Sequence, residues 1–426
     1  MAKIFKPLVL VSALSLILSG CGESTSSNSG PGFGDGGGTV PVNFDEAKLI
    51  ANLTDNVITP TFEEFVNQTN LQKTALTTYC NLESSFDPTM GDASAQAQVE
   101  NAKKAAQLAW MNTASVWQQA ELMQLGPLSA DDGELRNRIY SWPSVSKCNV
   151  DQDVAYFEDG MINNDPSRPY DISKRVATRR GIVAIEHLLF STDLNHNCSS
   201  SAAGDALSDW NTRTDQERKV ARCEFSVAAG EDLTNNGNEL LGEWTGENGY
   251  ANELKNAGQP GNSFESTHKA VNLISDAMFY TDSIVKDKKL GVPLGKFANS
   301  CGFEVCAEDV ESFDSGYSLE NIKANLVAFE KLFLGNLQGE DAKTGFDDFL
   351  VEEGASDTKD IMIQGINDAK NAVAQIDSEL KTALISENEK VEHAHAKVKD
   401  ITDQLKNDFI NKLALELPKS SAGDND

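Results

Sequence analysis

The residues best placed for chemistry lie in the run Arg179-Arg180-Gly181-Ile182-Val183-Ala184-Ile185-Glu186-His187-Leu188-Leu189-Phe190. At about 100° per residue, Arg179, Val183 and Phe190 fall within about 60° of Glu186, with Ile182 and Leu189 on its other flank. Glu186 thus sits on or beside the apolar face of a helix. A carboxylate there needs a partner, or it is partly neutralised. Arg179, two turns earlier, is one candidate. Three readings of Glu186 stay open: a structural carboxylate paired with Arg179 or capping a loop, a ligand-binding residue in a cleft between the two bundles, and a catalytic base or metal ligand. The last would need more than this helix carries. A catalytic zinc wants three protein ligands, and an H-x-x-E-H helix supplies two His. Here Val183 stands at the first His position. His187 points about 100° away from Glu186. His196 falls just before Cys198, and His393 and His395 face nearly opposite sides of a charged helix. The metal candidates are therefore Glu186 and His187, for an iron or zinc ion, and no residue is assigned as catalytic.

Other groups could line a binding site. Arg138-Ile139-Tyr140-Ser141-Trp142-Pro143 reads as an extended loop whose Trp142 either lines a pocket or plugs the core. Ser315-Gly316-Tyr317-Ser318-Leu319 reads as a turn with Ser318 as N-cap, and Tyr317 either lines a pocket or packs. Lys288-Lys289-Leu290-Gly291-Val292-Pro293-Leu294-Gly295 reads as a structured loop. There is no Gly-rich phosphate loop, no G-x-S-x-G and no dinucleotide fingerprint.

Helices must position these groups. Helical periodicity predicts helices over 45–56 and 61–82, broken or kinked at Pro60, then 93–125, ended by Gly126-Pro127. Further helices are expected over 150–161, 172–190, 215–244, 264–287, 318–334 and 357–415. Strand-type alternation is scarce. The segment 182–190 aligns with 326–334 through a shared Val-Ala-x-Glu, which makes Glu186 and Glu330 pseudo-symmetry mates. The fold class is therefore all-α, with two helical bundles related by an internal pseudo-repeat, 43–255 and 256–418.

The ends and the composition bound the setting. Residues 1–20 have a basic start (Lys3, Lys6), an apolar run too short for a permanent span, and Leu18-Ser19-Gly20-Cys21, a lipobox. The expectation is lipidation of Cys21, with Gly22 after it favouring the outer membrane, facing the periplasm or the surface. Residues 21–42 read as a Gly/Ser tether and 419–426 as a disordered tail. A formal charge of −29 argues against nucleic acid and anionic lipid surfaces, so membrane contact is expected through the anchor alone. Setting Cys21 aside leaves six cysteines in an exported chain, hence three expected disulfides. Neighbours in sequence suggest Cys198–Cys223 and Cys301–Cys306, with Cys80–Cys148 by default.

Taken in order, several segments resemble the imelysin family of M75-type peptidases. They are the lipobox, Asn56-Val57-Ile58-Thr59-Pro60, the Trp-rich helix, Tyr140-Ser141-Trp142-Pro143, Lys289-Leu290-Gly291-Val292-Pro293-Leu294-Gly295 and Tyr317-Ser318-Leu319-Glu320-Asn321. The family signature Gly-x-His-x-x-Glu is matched by Gly181 and Glu186 but carries Val183 for His. The resemblance implies two helical bundles with a site in the groove between them, and an association with iron uptake. Glu186, Arg179, Trp142, Tyr317 and Ser318 are the expected groove residues. The expected function is a surface lipoprotein that binds a metal ion or metal chelate, in concert with other surface iron-uptake proteins. A metal-dependent peptidase and a non-catalytic surface protein are the alternatives.

Overall fold

Pro60 does not break the first helix. In the computed structural model, which describes residues 44–337, 340 and 343–418, α1 (Glu46–Asn52) runs through a π-helical segment, Leu53–Ile58, into α2 (Thr59–Ser85). Pro60 falls in the first turn of α2, where a missing N–H is tolerated. The Thr61 hydroxyl donates to the Val57 carbonyl at 2.7 Å. The expected lipidation site Cys21, leader, tether and tail lie outside the described residues.

Three long helices frame the first half. They are α2, α3 (Ala93–Leu122) and, after the short α4 (Glu134–Ile139), α5 (Lys147–Asp159), α6 (Gly181–Phe190) and α7 (Ser200–Ala203), the helix α8 (Asp215–Thr245). The Asp92 carboxylate caps α3, and a Thr214/Glu217 capping box starts α8. Aromatic rings lock the three together. Phe65 packs on Trp117 at 5.0 Å, and Phe62 meets Trp244 edge-on at 5.2 Å. A small antiparallel hairpin, β1 (Met161–Ile162) and β2 (Asp165–Pro169), follows α5. The second half holds α9 (Tyr250–Lys255), α10 (Thr267–Met278), a π-helix Thr281–Gly291, α11 (Ser318–Leu334), α12 (Phe346–Glu352), α13 (Ser356–Ala374), α14 (Leu380–Ser386), α15 (Asn388–Gln404) and α16 (Ile410–Lys412). Helices of both halves feed one hydrophobic core that runs from Leu49 to Leu415. A smaller core under α5 joins Val150, Val154 and Leu188 to Trp210 and Phe225. Among the described residues no helix is long and apolar enough to cross a membrane.

The structure corrects several boundaries. The stretch 172–180 is two 3-10 turns, not helix. Lys288 to Gly291, expected in a loop, finish the π-helix. The stretch 357–415, expected as one or two long helices, is divided among α13 to α16, and the π-helical Leu405–Phe409 joins α15 to α16. The disulfides are Cys80–Cys223, Cys148–Cys198 and Cys301–Cys306, so two of the three expected pairings are replaced. The reason is topological. Adjacent antiparallel helices α2 and α8 bring Cys80 to Cys223, and α5 brings Cys148 beside the loop that holds Cys198.

Candidate functional site

Helix α6 is buried from Gly181 to Leu189. Its start is fixed by three consecutive residues. Arg179 ion-pairs with Asp153 at 2.6 Å and also donates to the Asn149 carbonyl and to Gln152. Arg180, almost fully buried, pairs with Asp232 of α8 at 2.8 Å. Gly181 adopts φ +79°, and a Cβ there would lie 2.4 Å from the Ile139 carbonyl oxygen and 2.7 Å from that of Arg138. Only glycine fits so close to the end of α4. We expect Gly181→Ala to lower stability by about 2 kcal/mol, read by urea unfolding. A loss under about 0.5 kcal/mol would mean the contact relaxes freely.

Arg179 is therefore not the partner of Glu186. Ser315 is: its backbone N–H and its hydroxyl both donate to Glu186 Oε1, at 3.0 and 2.9 Å. Burial pushes the Glu186 carboxyl up to about 7; the Ser315 bonds oppose that rise, and nearby Asp314 and Glu311 add to it. The neighbouring side chain faces elsewhere. His187 Nε2 lies 3.0 Å from Asp151 Oδ1, and Nδ1 faces Asp314 Oδ2 at 3.5 Å. Burial opposes its charge, but the two carboxylates outweigh burial and raise its pKa. Asp151 also binds Arg222 at 3.2 Å and the Asn197 backbone N–H at 2.8 Å. His187 thus ties α6 to α5 through Asp151 and faces Asp314 of the 312–315 turn.

Glu186 opens onto a cavity of about 720 Å3. Its walls are largely apolar: Trp142, Val145, Val183, Val292, Val310 and Phe313. Its polar edge carries Lys288, Glu308, Asp309 and the Lys147–Asp314 pair, 2.6 Å apart. Val183, one turn before Glu186, presents a methyl-bearing wall where a histidine would present nitrogen.

Of the residues expected in the groove, the structure brings together Glu186 and Trp142. Tyr317 is half-buried and packs edge-on against Trp110 at 6.0 Å, off the cavity wall. Ser318 is the first helical residue of α11, after Tyr317 as N-cap, and its hydroxyl donates to the Glu311 carbonyl. Glu330 stands apart as well. It is buried on α11 and ion-pairs with Lys370 at 2.6 Å. The two aligned helices both pack on α3, yet one glutamate has a cation and the other has a cavity. Ser315, Asp314 and Lys147 escaped the sequence reading. Ser315 lay in a segment read as a turn, with nothing to show where the turn would point.

A metal does not suit these residues. Position 183 offers no donor atom, and both His187 nitrogens face carboxylates. Among the described residues no group of three or more His, Cys, Asp or Glu side chains is arranged to hold a metal ion.

A sequence profile described as Peptidase_M75, imelysin, matches residues 58–407. No curated protein matches the chain. Among solved structures, a putative iron-regulated protein A precursor from Parabacteroides distasonis is 17% identical, covering 87% of this chain and 95% of its own, with a TM-score of 0.61. An imelysin-like protein from Psychrobacter arcticum is 14% identical, covering 88% of this chain and 99% of its own, with a TM-score of 0.59. These likenesses are of fold.

Proposed function

Because the chain belongs to the imelysin family, we propose that it is a non-catalytic ligand-capture protein, held at the outer membrane through a lipid on Cys21, that takes a metal chelate or similar organic molecule into the Glu186 groove in the service of iron or metal acquisition. One observation carries this reading. The groove has the volume of a small-molecule site and apolar walls, with Val183 where a metal-binding residue would stand. A bare ion would find few donors there. A chelate offers faces for Trp142 and Phe313 and a charged periphery for Lys288 and Lys147. The name of the Parabacteroides protein, which calls it iron-regulated, supports the iron side of the proposal.

The test is calorimetric titration of the purified protein with ferrous, ferric and zinc ions and with ferric citrate. Ferric citrate should bind, and Trp142→Ala should weaken it about fivefold or more, since a stacked aromatic contributes on the order of 1 kcal/mol or more. Bare ions should not bind stoichiometrically. A bare ion bound one-to-one and lost in Glu186→Ala would instead favour a metal centre, and chelator-sensitive proteolysis would then favour a peptidase.

A further inference from the structure

Phe313 forms part of the groove wall and is 38% exposed. It belongs to a turn that closes on itself. The Gly316 N–H donates to the Ser312 carbonyl at 3.0 Å, and the Ser315 hydroxyl donates to the same oxygen at 3.3 Å. Both ends of the turn are left-handed, at φ +51° for Ser312 and +70° for Gly316. Glycine adopts that conformation freely, and serine does so rarely. The Ser312 hydroxyl is held by Asn321 of α11, whose amide donates to it at 2.9 Å. Phe313, Asp314 and Ser315 are therefore carried as one short piece between two special backbone positions.

The turn is tied from two sides. Toward the groove, Asp314 meets Lys147 and His187, and Ser315 meets Glu186. Each of those partners lines the cavity, so a guest that takes up Lys147 or Glu186 competes with the turn for them. On the other side stands α14. The Lys381 ammonium donates to the Phe313 carbonyl at 3.0 Å and lies 5.0 Å from the centre of the Phe313 ring. Glu379, at the N-cap of α14, holds the same ammonium at 3.0 Å. A Cβ at Gly316 would lie 2.5 Å from the Glu379 carboxyl carbon, so the start of α14 reaches both ends of the turn. Neither Glu379 nor Lys381 lines the cavity. The start of α14 is itself braced. The N–H groups of Asp377 and Ser378 each donate to the Glu387 carboxylate at 3.1 Å, and Lys390 joins Asp377 to Glu387 at 2.6 and 2.7 Å.

On the ligand-capture reading of the groove, we propose that Lys381 is a positioning residue: from outside the cavity it latches the 312–316 turn, so that Phe313 and Ser315 keep their places while the groove-side ties are exchanged for a guest. One ammonium takes both the backbone and the ring of Phe313, so it holds main chain and side chain together. The Lys381 side chain is 29% exposed, so replacing it leaves the hydrophobic core untouched. Arginine can make both contacts. Methionine keeps the stem but loses the charge and the donors.

The test is amide hydrogen exchange of the unliganded protein beside calorimetric titration with ferric citrate, for the parent, Lys381→Met and Lys381→Arg. In Lys381→Met the Ser315 N–H, which is donated to Glu186, should exchange about fivefold faster or more, with the urea unfolding midpoint unchanged. Ferric citrate should bind Lys381→Met about fivefold more weakly, and Lys381→Arg should restore both readings to within about twofold of the parent. Ser315 exchange and affinity equal to the parent's in Lys381→Met would overturn the proposal. So would losses that accompany a lower unfolding midpoint and are not restored by arginine, since those would mark a general structural role. A parent that fails to bind ferric citrate would count against the groove reading alone, because Ser315 exchange still shows whether Lys381 holds the turn.

Discussion

Lys289→Met should destabilise the protein by about 3–5 kcal/mol, because it leaves a buried carboxylate without its cation. Lys289 is fully buried in the π-helix. Its ammonium meets Glu311 Oε1 at 2.9 Å, Asn325 Oδ1 of α11 at 2.8 Å and Gln118 Oε1 of α3. The Tyr140 hydroxyl donates to the same Glu311 oxygen, and Asn325 donates to the Gln118 carbonyl at 2.7 Å. One ammonium therefore joins α3, α11, the π-helix and the 307–315 loop, and that loop carries Ser315 to Glu186. Met keeps the volume of the stem but none of the donors. Urea unfolding of Lys289→Met beside the double variant Lys289→Met/Glu311→Met separates the causes. The double variant should recover part of the loss, since it removes the stranded carboxylate as well. A single-variant loss below about 1 kcal/mol would show that water or a shifted proton replaces the ammonium. Ferric citrate titration of the same variant should show weaker binding, because the loop that forms one wall of the groove is no longer held.

How much of this was legible depends on the range of the interaction. Ser318–Leu334 was read from the sequence with its observed bounds, because helix periodicity is local. Glu186 stood out for a related reason: a carboxylate between Ile185 and Leu188 on an apolar helix has few ordinary explanations. Its partner was not legible. Arg179 has the right spacing on an ideal helix, but the chain is not helical before Gly181, so the wheel did not apply to it. The φ of +79° at Gly181 marks where that helix begins. Ser315 lies 129 residues from Glu186, and no periodicity carries that far. The disulfides misled in the same way. Proximity in sequence favoured Cys198–Cys223, whereas helix packing placed Cys80 and Cys223, 143 residues apart, side by side. Pro60 reads as a break in most sequences. Here the preceding π-helical segment places it in a first turn, where its ring costs little.

Stability should fall as pH rises from about 5 to 8, and Glu186→Gln and Glu121→Gln should each remove part of that fall. Both carboxyls are pushed up to about 7, chiefly by burial. Below the ordinary glutamate range both folded and unfolded states are protonated, and the contribution is fully present. Between about 4.5 and 7 the unfolded chain gives up the proton while the folded chain keeps it, so stability is lost through that window. At about 1.4 kcal/mol per unit, each group accounts for at most roughly 3 kcal/mol. Asp276, also raised to about 7, acts in the same sense. His187, raised by its two carboxylates, adds a loss above the ordinary imidazole range. His395, lowered to about 4 by burial first, works the other way between about 4 and 6.5, so the net fall is steepest above pH 6. Glutamine keeps the shape at position 186, and its carbonyl oxygen can accept both Ser315 bonds. Each variant should therefore be more stable than the parent at pH 8 by about 1–3 kcal/mol and close to it at pH 5. Urea unfolding at the two pH values reads both numbers. A Glu186→Gln protein no more stable than its parent at pH 8 would mean that the carboxylate is ionised at no cost. A cation or ordered water would then have to sit against it in the groove, and the apolar walls around Val183 would enclose a charged guest rather than a neutral face.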